Sequence, residues 1–351
     1  MRRQGVMVIL VFGIALFGCQ SMQYYSQAID GQLRILIHRQ PISKLLADTS
    51  TPEDLKNRLA VVLRVRDFAQ NELQLPVGNH YLSYVDIERP YVVWNVFAAP
   101  EFSLIPKTWC YPVVGCVAYR GYFSEEKAQR YADSLKKENY DVYVGGAIAY
   151  STLGWFDDPV LSTIMYLSET ESAALIFHEL AHQLLYIPDD TAFNESFATV
   201  VEQEGVRRWL ITQGDSKRYH EFLGKYQQHR QFVDLIMSYR RQLESLYQSN
   251  QSVSEKRGGK AALFNQLKRD RTRLNNECNG TSRYDLWFRQ SLNNAKLVSV
   301  LTYQDFVPAF RNILLKKDGD VMQFYAECLR LSQTPTDERH RILTNYSDNK
   351  L

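Results

Sequence analysis

The 351-residue sequence predicts an α+β fold, with a small sheet and its helices over residues 76–212 and helical segments before (19–75) and after (213–351). Three observations predict it. The runs Tyr81–Ile87, Tyr91–Phe97 and Val113–Tyr119 are rich in β-branched and aromatic residues, and Pro90, Pro100, Pro106 and Pro112 punctuate them as turns punctuate a sheet. Two strongly signalled helices follow, separated by Pro188. Beyond Gly214 the apolar residues Tyr219, Phe222, Leu223, Tyr226, Leu235, Ile236, Tyr239, Leu243 and Leu246 keep helical spacing. A composition of 45% hydrophobic and 23% charged residues excludes long disorder as a description of the whole. Lys+Arg of 41 against Asp+Glu of 39 leaves a net charge of +2, too little to hold phosphates, so no nucleic-acid partner is expected.

The N-terminus reads as an address. Met1-Arg2-Arg3-Gln4 carries charge and the stretch from Gly5 to Gly18 carries none. As a helix that stretch rises about 21 Å, short of the ~30 Å hydrocarbon core, so residues 1–18 fit an export signal better than a permanent span. Leu16-Phe17-Gly18-Cys19 resembles the bacterial lipobox, which implies cleavage before Cys19, its diacylation and attachment to a membrane. Phe17 is bulkier than that motif's usual residue, and the alternative is an ordinary signal peptide with a cysteine at its edge. Gln20, not being Asp, points by resemblance to the sorting rule of Gram-negative lipoproteins to the outer membrane, facing the periplasm. Loss of Arg2 and Arg3 with the signal would leave 39 basic against 39 acidic residues.

After the address, Ser50-Thr51-Pro52-Glu53-Asp54 signals a helix start with a capping hydroxyl, and Leu55, Leu59, Val62, Leu63 and Val65 form its apolar stripe. Past the extended runs, Ser124-Glu125-Glu126 opens a helix to about Glu138, and Tyr140–Ser151 returns to strand. Gly258-Gly259 breaks the long C-terminal helix, so Ala261–Leu274 is expected to return antiparallel. Four cysteines remain beyond Cys19. In an exported chain Cys110–Cys116, flanking a short Pro112-containing stretch, is the natural disulfide, and Cys278–Cys328 follows by elimination, with free buried thiols as the alternative.

Ser168-Glu169-Thr170-Glu171 is a capping box, and the helix it opens carries His178-Glu179-Leu180-Ala181-His182. Histidines at i and i+4 project from one helix face about 6 Å apart along the axis, so both imidazoles can meet one Zn²⁺. Glu179, rotated by about 100° from His178, flanks such an ion and can take a proton from a water there. The next helix, starting near Asp190-Thr191, offers the third ligand. In an antiparallel hairpin His182 and Glu195 lie at one level, roughly 8–9 Å from the turn, which makes a His₂Glu site with a fourth position open. Glu202 is the rival ligand, otherwise an outer partner, and Asp189 and Asp190 read as caps. His38, His80, His220, His229 and His340 stand alone and read as structural or surface residues.

His178-Glu179-Leu180-Ala181-His182 followed by Asn194-Glu195 resembles the gluzincin metallopeptidases, with a shorter spacing than in the thermolysin-like members. Trp109–Phe123, Ala149–Trp155 and Asn293-Asn294-Ala295 resemble the predicted aminopeptidase family of bacterial lipoproteins, over nearly the whole mature chain. The resemblance implies a zincin-like catalytic core, one Zn²⁺ per chain held by His178, His182 and Glu195, and Glu179 as general base in peptide hydrolysis. It also implies an edge strand over Tyr140–Gly154 for an extended peptide or protein substrate. Tyr303, Tyr150 and Arg120 are the candidates for steadying the oxyanion. Asn293 and Asn294 are candidate cleft residues or caps. Asp157, Asp158 and Glu169 are the nearby acids for a substrate α-ammonium, though turn and cap roles suit them better. A zinc-binding envelope assembly or binding protein with little turnover is the alternative function.

Overall fold

A computed structural model describes residues 23–111, 115–149, 152, 156–277, 284–301 and 306–348. Helix α1 (residues 23–37) comes first and docks through Gln27, Gly31 and Ile35, one buried residue per turn. A Cβ on Gly31 would stand 2.1 Å from the Phe123 ring, so only glycine permits this approach. Strand β1 (Gln40–Pro41) and helix α2 (Ile42–Ala47) lead to α3 (Glu53–Asn71), whose Leu59, Val62 and Val65 are buried as the stripe predicts. Pro52 itself occupies the N-cap and no hydroxyl closes that helix end, so the expected cap is not made.

The next strands are β2 (Ser83–Val85), β3 (Val93–Pro100), β4 (Trp109–Tyr111), β5 (Gly115–Val117) and β6 (Arg120–Tyr122). Two strands, β2 and β5, are shorter than the runs that predict them, whereas β3 is shifted two residues beyond the start of its run and ends at Pro100. Helix α4 (Glu125–Lys137), capped by the Ser124 hydroxyl, precedes β7 (Tyr140–Ala147) and β8 (Val160–Leu161). The larger sheet runs β6-β3-β7, antiparallel, with β3 and β7 in register from Val93↔Ala147 to Pro100↔Tyr140. Alternation divides its residues. Trp94, Val96 and Val142 pack on Ala128, Ala132 and Leu135 of α4, whereas Asn95, Phe97 and Tyr143 line a cleft. Strand β7 is the edge of this sheet on the cleft side. A second sheet runs β1-β2-β8, and β4 with β5 forms a hairpin joined by the Cys110–Cys116 disulfide.

Helices α5 (Glu169–Leu184) and α6 (Thr191–Thr212) form the predicted antiparallel pair. The long hairpin consists of α7 (Ser216–Gln248) and α8 (Val253–Glu277), and its turn falls at 249–252. Gly258 and Gly259 lie inside α8 instead of breaking it. A Cβ on Gly259 would come 2.9 Å from the Leu246 side chain, so that glycine serves helix–helix approach. Helices α9 (Asp285–Arg289), α10 (Asn294–Leu301), α11 (Val307–Leu315), α12 (Val321–Ser332) and α13 (Thr336–Asp348) complete the chain. The C-terminal segment divides between two cores. Helices α11–α13 join α3, α5 and α6 in the main core, and α7–α10 gather a second around Phe232, Ile236, Leu267 and Phe288. Cys328 is a free thiol at zero exposure in the main core, and Cys278, the partner expected by elimination, lies outside the described residues. Parity counts cysteines, but burial in an apolar core is an equally common fate for a thiol.

Candidate metal centre

The α5–α6 hairpin is fixed from its turn outward. The Ser168 hydroxyl accepts from Glu171 N–H, and the Glu171 carboxylate accepts from Ser168 N–H, closing the start of α5. At the start of α6 the Asp190 carboxylate accepts from Phe193 N–H at 3.1 Å and is paired with Arg339 at 2.6 Å and His340 at 3.0 Å, both from α13. Buried Asn194 clips the turn shut. Its Oδ1 accepts from Ile187 N–H at 2.8 Å and its Nδ2 donates to Ile187 C=O at 2.7 Å. That clip makes a short connection between the two helices possible. Asp189, expected as a cap, instead accepts from Cys116 N–H at 2.6 Å and ties the disulfide hairpin to the turn.

The hairpin brings His178, His182 and Glu195 together, one ligand atom from each lying within 4.8 Å of the others. Glu195 Oε2 is 3.2 Å from His178 Nε2, and its Oε1 is 3.7 Å from His182 Nε2. Donors on a tetrahedral ion with bonds of about 2.1 Å stand about 3.4 Å apart, so these separations bracket the edge of such a site. Two imidazoles and one carboxylate are also the donor set that suits Zn²⁺. Glu202, two turns further along α6, lies outside this group of three. Its Oε2 accepts from the opposite nitrogen of His178, Nδ1, at 3.1 Å, which leaves Nε2 aimed at Glu195. Among the described residues, buried His182 Nδ1 has no hydrogen-bond partner.

The electrostatics follow from crowding these groups together. Burial disfavours charge on His178, but the Glu195 and Glu202 carboxylates outweigh it and hold its pKa well above the ordinary histidine range. Burial and the neighbouring His178 push His182 down to about 4. Burial pushes Glu195 up, yet the His178 hydrogen bond and both imidazoles hold it below the usual carboxylate range. A proton shared this way is one that a divalent cation displaces on binding. Glu179, beside the cluster, is lifted to about 7 by burial; the carboxylates of Glu195, Asp158 and Glu202 add to the rise and His178 opposes it.

The cluster opens into a cleft of about 720 Å³, bounded by Phe97 and Tyr143 of the sheet, Phe222 and Tyr226 of α7, and Trp287 of α9. At its rim Glu171 pairs with Lys225 at 2.9 Å. Burial raises the Glu171 carboxyl, but Lys225 and Ser168 overcome this and hold it at about 2. His229, expected as structural, lines the cleft and bonds to the Tyr284 hydroxyl.

Other predicted site residues lie elsewhere. Arg120 sits on the α4 face of the sheet, its guanidinium 4.0 Å from the Tyr24 ring and 4.8 Å from that of Tyr131. The alternation that pairs it with Val96 turns it away from the cleft. Its neighbour Tyr119, which sequence reasoning passed over, has its ring 5.7 Å from cleft-lining Phe97. Burial and the nearby Glu195, Tyr186 and Glu179 keep its phenol protonated. Tyr81 and Tyr186 are raised in the same way, Tyr81 by burial and then Glu179, Tyr186 by burial and then Glu195. No local pattern singles out Tyr119, because the pairing of β6 with β3 decides which side each residue takes. Tyr150, Tyr303 and Cys19 lie outside the described residues.

Asn293 and Asn294 are clamps: Asn293 Nδ2 donates to Val142 C=O of β7, and buried Asn294 Nδ2 donates to the carbonyls of Pro100, Glu101 and Ser103. Glu169 is paired with Arg218 at 3.2 Å, Asp158 accepts from the Thr152 hydroxyl at 2.7 Å, and Asp157 faces Asn79 at 3.4 Å. Among the described residues, every carboxylate lining the cleft apart from Glu179 already has a hydrogen-bonded partner.

Fold and site together define an α+β protein with two histidines and a glutamate converging at the bottom of an aromatic-walled cleft. Residues 23–343 match the family model described as "Putative aminopeptidase", and the chain belongs to that family. No curated protein and no solved structure matches the chain.

Proposed function

We propose that the chain is a zinc-dependent peptidase of the aminopeptidase type that its family's name suggests, with a gluzincin-like site on a zincin-like core, anchored through lipidated Cys19 to the outer membrane and facing the periplasm. The observation that carries this reading is the convergence of His178 Nε2, His182 Nε2 and Glu195 with Glu179 beside them in one cleft. His178, His182 and Glu195 would hold one Zn²⁺, which supplies Lewis acidity toward a peptide carbonyl and toward water. Glu179, with a pKa near neutrality, takes the proton of the attacking water and returns it to the leaving amine. Glu202 holds the His178 ring in its orientation. Protonated Tyr119 is the described side chain best suited to donate to the oxyanion. Gly145 and Gly146 of edge strand β7 border the cleft, so an extended peptide laid there pairs through its backbone whatever its side chains.

The test is metal analysis of the purified protein, followed by mass-spectrometric analysis of a mixed peptide pool digested by wild type and by Glu179→Gln. One zinc per chain and N-terminal trimming by wild type alone are expected. Internal cuts would keep the mechanism and remove the aminopeptidase reading. A zinc-loaded protein with no Glu179-dependent product would be a binding or assembly protein of the envelope instead.

A further inference from the structure

Helix α1 has one face docked on the protein and an apolar face turned outward. Gln27, Gly31 and Ile35 are buried against the body of the protein. Tyr25, Ile29, Leu33 and Ile37 recur every fourth residue and are exposed by 44, 59, 49 and 74%. Two residues along a helix correspond to about 200°, so this second stripe points directly away from the docked face. It runs about 18 Å along the helix. Single exposed leucines are ordinary on a protein surface, but a continuous row of four large apolar side chains on one helix is not.

The position of the row along the chain identifies its occupant. Four peptide steps separate Cys19 from Gln23, the first described residue of α1, and they span at most about 14 Å. Acyl chains on Cys19 therefore bring α1 to the bilayer surface. The helix has too few residues to cross the hydrocarbon, and among the described residues no helix is long and apolar enough to do so. A short helix with one apolar face turned outward lies in the plane of the interface instead.

We propose that the Tyr25–Ile29–Leu33–Ile37 face of α1 seats in the headgroup–acyl boundary of the membrane, forming a second attachment beside the lipid on Cys19. This rests on the anchoring part of the reading above. Gln27 makes α1 a rigid part of the body, its Oε1 accepting from Phe123 N–H at 3.1 Å and its packing buried. The seated face thus fixes the orientation of the whole molecule, including the cleft, relative to the membrane.

The experiment replaces Leu33, Ile37 or, as a control on α7, Glu221 by the photocrosslinking amino acid benzoylphenylalanine, one at a time, in the full chain made in a bacterial host. Membranes are irradiated and peptides analysed by mass. The expected result is lipid adducts at positions 33 and 37 and none at 221. Adducts at 33 and 37 to a second copy or to another protein, or no adduct there, would overturn the inference. The acyl mass on the Cys19 peptide, read in the same digest, reports the anchor separately. An acylated chain without lipid adducts at 33 and 37 therefore refutes the seated face alone, and an unacylated Cys19 refutes the anchor.

Discussion

Asn194→Ala tests whether the turn between α5 and α6 is held by one side chain. The variant removes two hydrogen bonds, from Ile187 N–H at 2.8 Å and to Ile187 C=O at 2.7 Å. The carbonyl keeps a second donor, Asp190 N–H at 3.3 Å, and loses only the net value of one bond, about 0.5–1.5 kcal/mol. The N–H is left with no partner in the structure, which costs about 1–3 kcal/mol when a group is kept from water. The sum is a destabilisation of about 1.5–4.5 kcal/mol. Glu195 is the next residue on the same turn of helix, so slackening here also moves a proposed ligand, and the zinc affinity of the proposed site is expected to fall by about tenfold or more, as when outer partners of metal ligands are removed. Urea unfolding of chelator-treated protein gives the first quantity and zinc competition against a chromophoric chelator gives the second. Asn194→Asp keeps the acceptor but sets a carboxylate oxygen against Ile187 C=O, and should be no better than alanine. A loss below about 0.5 kcal/mol with unchanged zinc affinity would refute the clip.

Three further outcomes are expected. Glu202→Ala leaves His178 Nδ1 without its acceptor and should weaken zinc binding by about 10- to 100-fold, measured by the same competition. Glu179 has a folded pKa of about 7 against an ordinary 4.5, so the folded state binds the extra proton and stability falls as pH rises between those values. In chelator-treated protein Glu179→Gln should therefore be more stable than wild type at pH 8, by at most about 3 kcal/mol given the carboxylate's contact with the cleft, and equal to it near pH 4, by urea unfolding. Gly31→Ala should raise helix propensity by about 1 kcal/mol in isolation, yet its Cβ would meet the Phe123 ring at 2.1 Å. The clash wins, and faster hydrogen exchange across residues 23–37 is the expected reading.

What the sequence disclosed follows the range of each signal. Ser168 and Asp190 announce their helices because a cap is a local device, completed within three residues, and both helices start within a residue of the expected place. The convergence of His178, His182 and Glu195 was legible because helix periodicity and one short turn determine it. Arg120 and Tyr119 show where this ends. They are adjacent, and only the pairing of β6 with β3 decides which of them faces the cleft side. Gly258-Gly259 misled because a glycine pair serves equally as a break or as a contact surface, and the partner that decides, Leu246, lies across a turn. The Asp190–Arg339–His340 group joins residues about 150 positions apart, and no local pattern announces such a contact.

That last group has a consequence for the order in which the molecule is made. The Asp190 and Arg339 side chains are only 2% and 3% exposed, and a carboxylate buried without its partner is costly enough to keep its surroundings open. Until residue 339 is made, the turn that carries Glu195 lacks the partners that Asp190 has in the folded chain. The proposed ligands His178, His182 and Glu195 are all synthesised well before α13 (Thr336–Asp348), which partners the turn between their helices. If the proposed site holds a metal, its full affinity is expected only once α13 has docked.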